Sequence, residues 1–268
     1  MDFVRHYLLA VQYFTRIPVT GALAQWVGFS PGALQASAAH FPGVGWLVGA
    51  ASCLAYAALA IGLPASALTP LVAAVGCTIA TVLLTGGFHE DGLADVADGL
   101  GGSSDRARAL EIMKDSRIGA FGAMALVLAL LAKVSLLAVL GSQNMAAALT
   151  AMLGAHVLSR FAPLVLVYRM QHVGDAAGSK SKPLADRISS NGLFTAFAWC
   201  FAPLVLVALD QGAVFLTVSA IACAVALLWM QRLFRRRLQG FTGDCLGATQ
   251  QVCELAFYLG ATLAAGAR

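Results

Sequence analysis

Thr78-Ile79-Ala80-Thr81-Val82-Leu83-Leu84-Thr85-Gly86-Gly87-Phe88-His89-Glu90-Asp91-Gly92-Leu93-Ala94-Asp95-Val96-Ala97-Asp98-Gly99 passes from an uncharged apolar run, through two glycines, into a segment with four carboxylates in nine residues. Its first half ends a charge-free stretch running from about residue 66 to 87, enough helix to cross about 30 Å of hydrocarbon. The second half is too acidic to lie in lipid. A chain built this way carries polar chemistry to a membrane surface on the ends of apolar helices.

Composition extends that reading to the whole chain. Of 268 residues, 59% are hydrophobic and 11% charged, and the mean hydropathy is +0.80, far more apolar than a soluble domain of this size. Apolar stretches of about 20 residues lie at roughly 42–62, 66–87, 118–140, 145–168, 193–209, 213–231 and 246–265. The expected fold is therefore an all-α polytopic membrane protein of about seven transmembrane helices. Residues 3–18 have helical apolar spacing but carry Arg5, His6 and Arg16, which predicts an N-terminal interfacial helix rather than a span. Ile17-Pro18-Val19-Thr20-Gly21 offers no small-x-small cleavage site. The chain reads as one domain, with 1–40 as the interfacial segment and 41–268 as the bundle.

Charge placement sets an expected orientation. The turns Leu63–Ser66, Gly141–Asn144 and Asp210–Gly212 together carry one charge, Asp210. The intervening loops carry Arg106, Arg108, Lys114 and Arg117, then Arg169, Lys180, Lys182 and Arg187, then Arg232, Arg235, Arg236 and Arg237. By the positive-inside rule these loops and the N-terminus are cytoplasmic and the C-terminus is outside. The net charge of +4 follows from that topology and from anionic lipid headgroups, and argues for no nucleic-acid partner. The six cysteines are scattered without a CxxC and read as small buried hydrophobes.

Three segments at the expected cytoplasmic face carry the chemistry. On a helix, Asp91, Asp95 and Asp98 fall within an arc of about 60°, so three like charges repel one another unless a cation sits between them. Mg²⁺ is the natural candidate, because it binds through one or two carboxylates and completes its shell with water and phosphate oxygens. His89 lies nearly opposite that face, and Glu90 is off it. The second segment, Asp105 to Gly122, offers Lys114 and Arg117 to a diphosphate and Asp115 to the metal, or else forms an interfacial helix laced with ion pairs. In the third, Gly240 to Gly247, Asp244 is either a helix N-cap or a further ligand. Lys133 and Arg160 fall inside spans and contact either ligand or partners within the bundle.

The run GGFHEDGLADVADGLGG, followed by LEIMKDSRIGAFG, resembles the signature of the cobalamin synthase (adenosylcobinamide-GDP ribazoletransferase) family. Phe41-Pro42-Gly43-Val44-Gly45, Leu131-Ala132-Lys133, Ser159-Arg160 and Thr242-Gly243-Asp244-Cys245-Leu246-Gly247 match in the same order. Thr20 departs, standing where such proteins often have a second proline. The resemblance implies a Mg²⁺-dependent transferase of the bacterial inner membrane, with its active site facing the cytoplasm. A ribose hydroxyl of α-ribazole, or of its 5'-phosphate, attacks the cobinamide-linked phosphorus of adenosylcobinamide-GDP and expels GMP. It assigns Asp91, Asp95 and Asp98 to metal, with Asp115 or Asp244 adding a carboxylate. Lys114, Arg117 and Arg160 hold the diphosphate, His89, Lys133 and Asp244 complete the substrate contacts, and Glu90 or Asp115 acts as base. Oligomerisation stays open, a homo-oligomer included. The alternative enzyme is a CDP-alcohol phosphotransferase, whose DGxxAR opening Asp91-Gly92-Leu93-Ala94 matches until Asp95 replaces the arginine. A cation transporter would need carboxylates at mid-span, where Glu254 comes closest.

Overall fold

A computed structural model describes residues 2–173 and 187–266, which places the expected loop cations Lys180 and Lys182 outside the described residues. Among the described residues there are helices and no strands: α1 (Asp2–Phe14), α2 (Gly21–Val27), α3 (Pro31–Ser37), α4 (Phe41–Gly62), α5 (Thr69–Thr85), α6 (Phe88–Gly102), α7 (Arg106–Ile112), α8 (Ala120–Gln143), α9 (Met145–Arg169), α10 (Ser190–Arg237) and α11 (Gly243–Ala265). The seven apolar stretches are all helical, but the count of seven spans is not reached by length and composition. Four helical stretches are long and apolar enough to cross a membrane: Pro31–Gly62, Ala120–Gln143, Met145–Arg169 and Ser190–Arg237. The bent pair α5 and α6 brings the number to five.

Two local features explain the difference. The stretches at 193–209 and 213–231 are two helices joined at a kink at Gly212 (φ 82, ψ 162), so that α10 spans both and counts once by length. Before the break, Val207 packs over Gly154 with Phe257; after it, Ser219 lies against Gly260 and the Cys223 carbonyl faces Cys253. Val207 and Ser219, on either side of the break, meet α11 within a single helical turn of each other, at Phe257 and Gly260, which a straight helix could not do, so α10 doubles back at Gly212. A backbone in that φ region is one glycine reaches without steric cost. The last helix, α11, carries Gln250, Gln251 and Glu254 and is shielded in the middle of the bundle, where it packs on α6, α8, α9 and α10.

Close helix contacts are made by glycine, as expected where lipid supplies no hydrophobic drive between helices. A Cβ at Gly45 would meet the His156 carbonyl at 2.5 Å, and one at Gly49 would meet Leu153 at 3.3 Å, so α4 lies backbone-close on α9. The N-terminal helix α1 buries Leu9, Ala10, Val11 and Phe14 against Phe41 and Val44, while Phe3 and Val4 stay exposed. All six cysteines are free, and five of them are buried.

Candidate active site

The acidic helix is aimed by two glycines. Gly86 (φ 71) and Gly87 (φ 70) both occupy the left-handed region that favours glycine, and α6 leaves α5 at 90°. Arg16 covers this bend, with its backbone N–H donating to the Leu84 carbonyl at 2.7 Å and its side chain over Gly86. The far end is held by a cation on carbonyls, Arg237 donating to the Leu100 and Ser103 carbonyls, while Arg106 donates to the Leu238 carbonyl at the end of α10. Cationic donors complement the negative end of the helix dipole.

Glycines also let α6 cross the start of α11. A Cβ at Gly92 would meet the Asp244 carbonyl at 2.8 Å, and one at Gly247 would meet the His89 backbone at 3.2 Å. This crossing carries Asp244 to the acidic face. Partial burial, and then the charges of Asp244, Asp91 and Asp98, push the Asp95 carboxyl up to about 7. Asp244, in the first turn of α11 outside the expected span, is raised by burial and by Asp91, while a Thr242 hydroxyl donating at 3.2 Å acts the other way. Asp91, the most exposed of the acidic-face residues, faces solvent. Among the described residues no three His, Cys, Asp or Glu side chains are already grouped to hold a metal ion.

Several expected site residues have other partners. Asp98 is buried, and its two carboxylate oxygens accept the Gly119 N–H at 2.7 Å and the Gly122 N–H at 2.8 Å. It caps the start of α8, where Gly119 has no side chain to do so. Asp115 receives the Arg117 side chain as a fork and the Arg117 backbone N–H, which hold its carboxyl down at about 2. The ion-pair reading of that segment therefore describes Asp115 and Arg117, and Glu111 pairs likewise with Arg108 at 2.7 Å. Lys114 is exposed.

Lys133 is satisfied within the bundle rather than by ligand, since its ammonium meets Glu254 at 2.7 Å with both side chains buried. Arg160, also buried, donates to the His156 carbonyl at 3.0 Å and lies 5.7 Å over the Phe41 ring, whose other neighbours include His89, stacked at 5.6 Å. Around these, His89 Nε2, Glu90 Oε2 and Arg160 Nε are buried without a hydrogen-bond partner among the described residues. Glu90 Oε1 accepts from Gln251. Sequence reasoning missed His156, Gln250, Gln251 and the central position of Glu254. The signal was present: His156 and Arg160, and Gln250 and Glu254, are i, i+4 polar pairs inside otherwise apolar spans.

Residues 6–262 match the family model described as cobalamin-5-phosphate synthase. A protein of Polaromonas naphthalenivorans named adenosylcobinamide-GDP ribazoletransferase is 62% identical over 97% of this chain and 98% of its own length. Relatives of the same name from Albidiferax ferrireducens and Shewanella piezotolerans are 61% and 41% identical, over 97% and 94% of this chain and 98% and 93% of their own lengths. No solved structure matches the chain.

Proposed function

The chain belongs to the cobalamin-5-phosphate synthase family and is a multi-pass membrane enzyme of cobalamin biosynthesis, and from that premise we propose the reaction it performs. Adenosylcobinamide-GDP gives up its adenosylcobinamide phosphate group to a ribose hydroxyl of α-ribazole, or of α-ribazole 5'-phosphate, and GMP leaves. The relatives' shared name supports these substrates.

The meeting of Asp91 and Asp95 on α6 with Asp244 at the start of α11 is the observation that carries the reading, because partial burial first, and then the neighbouring carboxylates, raise Asp95 to about 7, and a bound cation would offset both costs. Mg²⁺ fits this set without a finished cage, since it takes few protein ligands and fills its shell from substrate phosphate and water. Bound there, it would offset the charge that builds on the departing phosphate. The chain's own residues do the rest. Gly92 and Gly247 bring the α6 and α11 backbones close, Lys114 and Arg117 present positive charge at the mouth, and Arg160 lies deeper. The one-sided distribution of charged loops supports a mouth open to the cytoplasm and a location in the bacterial inner membrane.

Purified protein given adenosylcobinamide-GDP and α-ribazole is expected to release GMP only when Mg²⁺ is present. Release that survives exhaustive chelation would remove the metal from the reading. Turnover of a CDP-alcohol in place of the corrinoid would replace the substrates.

A further inference from the structure

A directional hydrogen-bond chain runs from the buried ion pair to the acidic helix. The Glu254 carboxylate can only accept: Oε1 takes Lys133 Nζ at 2.7 Å and Tyr258 Oη at 3.2 Å, and Oε2 takes Gln250 Nε2 at 2.7 Å. That fixes which end of the Gln250 amide faces Glu254. The same Nε2 also donates to Ser159 Oγ at 3.0 Å, so the Gln250 carbonyl is left for Gln251, whose Nε2 donates to it at 2.9 Å. The second hydrogen on Gln251 Nε2 goes to Glu90 Oε1 at 3.1 Å. The Gln250 orientation descends from the negative charge at position 254, and that of Gln251 from the Gln250 carbonyl together with the Glu90 carboxylate.

We propose that Gln250 and Gln251 are positioning residues: with the Lys133–Glu254 pair they fix the Glu90 carboxylate, and through it the rotation of the acidic helix that presents Asp91. Glu90 Oε2 is buried and unpaired among the described residues, so the hydrogen bond that holds this carboxylate among them is the one from Gln251. This inference rests on the functional reading above.

Exchanging the charges tests it. Lys133→Glu combined with Glu254→Lys keeps an ion pair between α8 and α11 but places a donor where the chain requires an acceptor. Gln250 then turns its carbonyl toward position 254 and its NH₂ toward Gln251. Gln251 in turn presents its carbonyl to Glu90 Oε1, where two acceptors meet. In protein whose unfolding temperature matches wild type, the exchange is expected to lower kcat at least about tenfold while KM for adenosylcobinamide-GDP stays within about twofold. Adding Gln251→Leu to the exchange removes the opposed carbonyl and returns part of kcat.

Wild-type kcat in the exchanged protein overturns the proposal, as does a loss that Gln251→Leu fails to relieve. Should the exchanged protein not fold, Gln251→Leu alone decides. A kcat loss at unchanged stability supports the positioning role, and unchanged kcat overturns it. An inactive wild type in the same GMP-release assay overturns the functional reading and this proposal together. An active wild type beside an equally active exchange overturns the positioning role alone.

Discussion

Asp98 Oδ1 accepts the Gly122 N–H at 2.8 Å, so a carboxylate on the acidic helix caps the membrane helix that follows it. Its other oxygen takes the Gly119 N–H. Asp98→Ala leaves both donors unpaired and should cost about 1 kcal/mol of stability, in the range of a lost N-cap. Thermal unfolding in detergent measures this. The Mg²⁺ concentration giving half-maximal GMP release should not move, and a shift there at wild-type stability would return Asp98 to the metal set.

Asp91 is exposed at the same face, so Asp91→Asn removes a charge without removing a packing contact. Turnover should fall more than about a hundredfold with the fold intact, the size seen when a principal electrostatic contact is lost. Asp95→Asn and Asp244→Asn should instead be partly rescued by raised Mg²⁺. Near-normal Asp91→Asn activity at saturating Mg²⁺ would exclude it as a principal ligand.

The bend into the acidic helix is tested by alanine at each glycine. Gly87 has φ 70, and a methyl added there would meet open space, so Gly87→Ala reads backbone strain alone, about 1 to 2 kcal/mol. Gly86→Ala must also displace Arg16 and should be worse. Equal unfolding temperatures for both variants and wild type would show that the bend tolerates a Cβ.

Metal binding should be linked to protons. The Asp95 carboxyl is raised from 3.8 to about 7, so between those values the folded protein binds more protons than the unfolded chain, and this group's contribution to stability falls as pH rises through the window. A cation needs the carboxylate, so Mg²⁺ affinity should climb toward and past pH 7, with proton release below it. Calorimetric titration at about pH 6.5, just under that raised value, in buffers of different ionisation enthalpy reads the released protons directly. Identical heats in all buffers would contradict the linkage.

Arg117 is engaged by Asp115 in a pair at the surface, and surface pairs contribute little to stability. Arg117→Ala and Lys114→Ala should therefore leave unfolding unchanged while lowering kcat/KM for adenosylcobinamide-GDP roughly tenfold or more. Steady-state kinetics normalised to folded protein decides this. Lower stability with normal kinetics would make the segment purely structural.

The sequence by itself determined the helical membrane class, the position of each long apolar helix, the break at Gly212 and the double glycine before the acidic face. Each of these is local: an apolar run, its length, and a residue free to take positive φ are properties of a single segment. It also placed Asp91, Asp95 and Asp98 on one face, but a helical wheel gives direction and no neighbour. Only the tertiary structure separated them, because the Gly119 and Gly122 N–H groups that claim Asp98, and the Asp244 that joins the other two, arrive from helices later in the chain. The same holds for Lys133, whose need for a partner was legible but whose partner was not. A charge in a low-dielectric bundle is satisfied by whatever side chain the packing brings within about 3 Å, and it was the packing of α11 on α8 that brought Glu254 there.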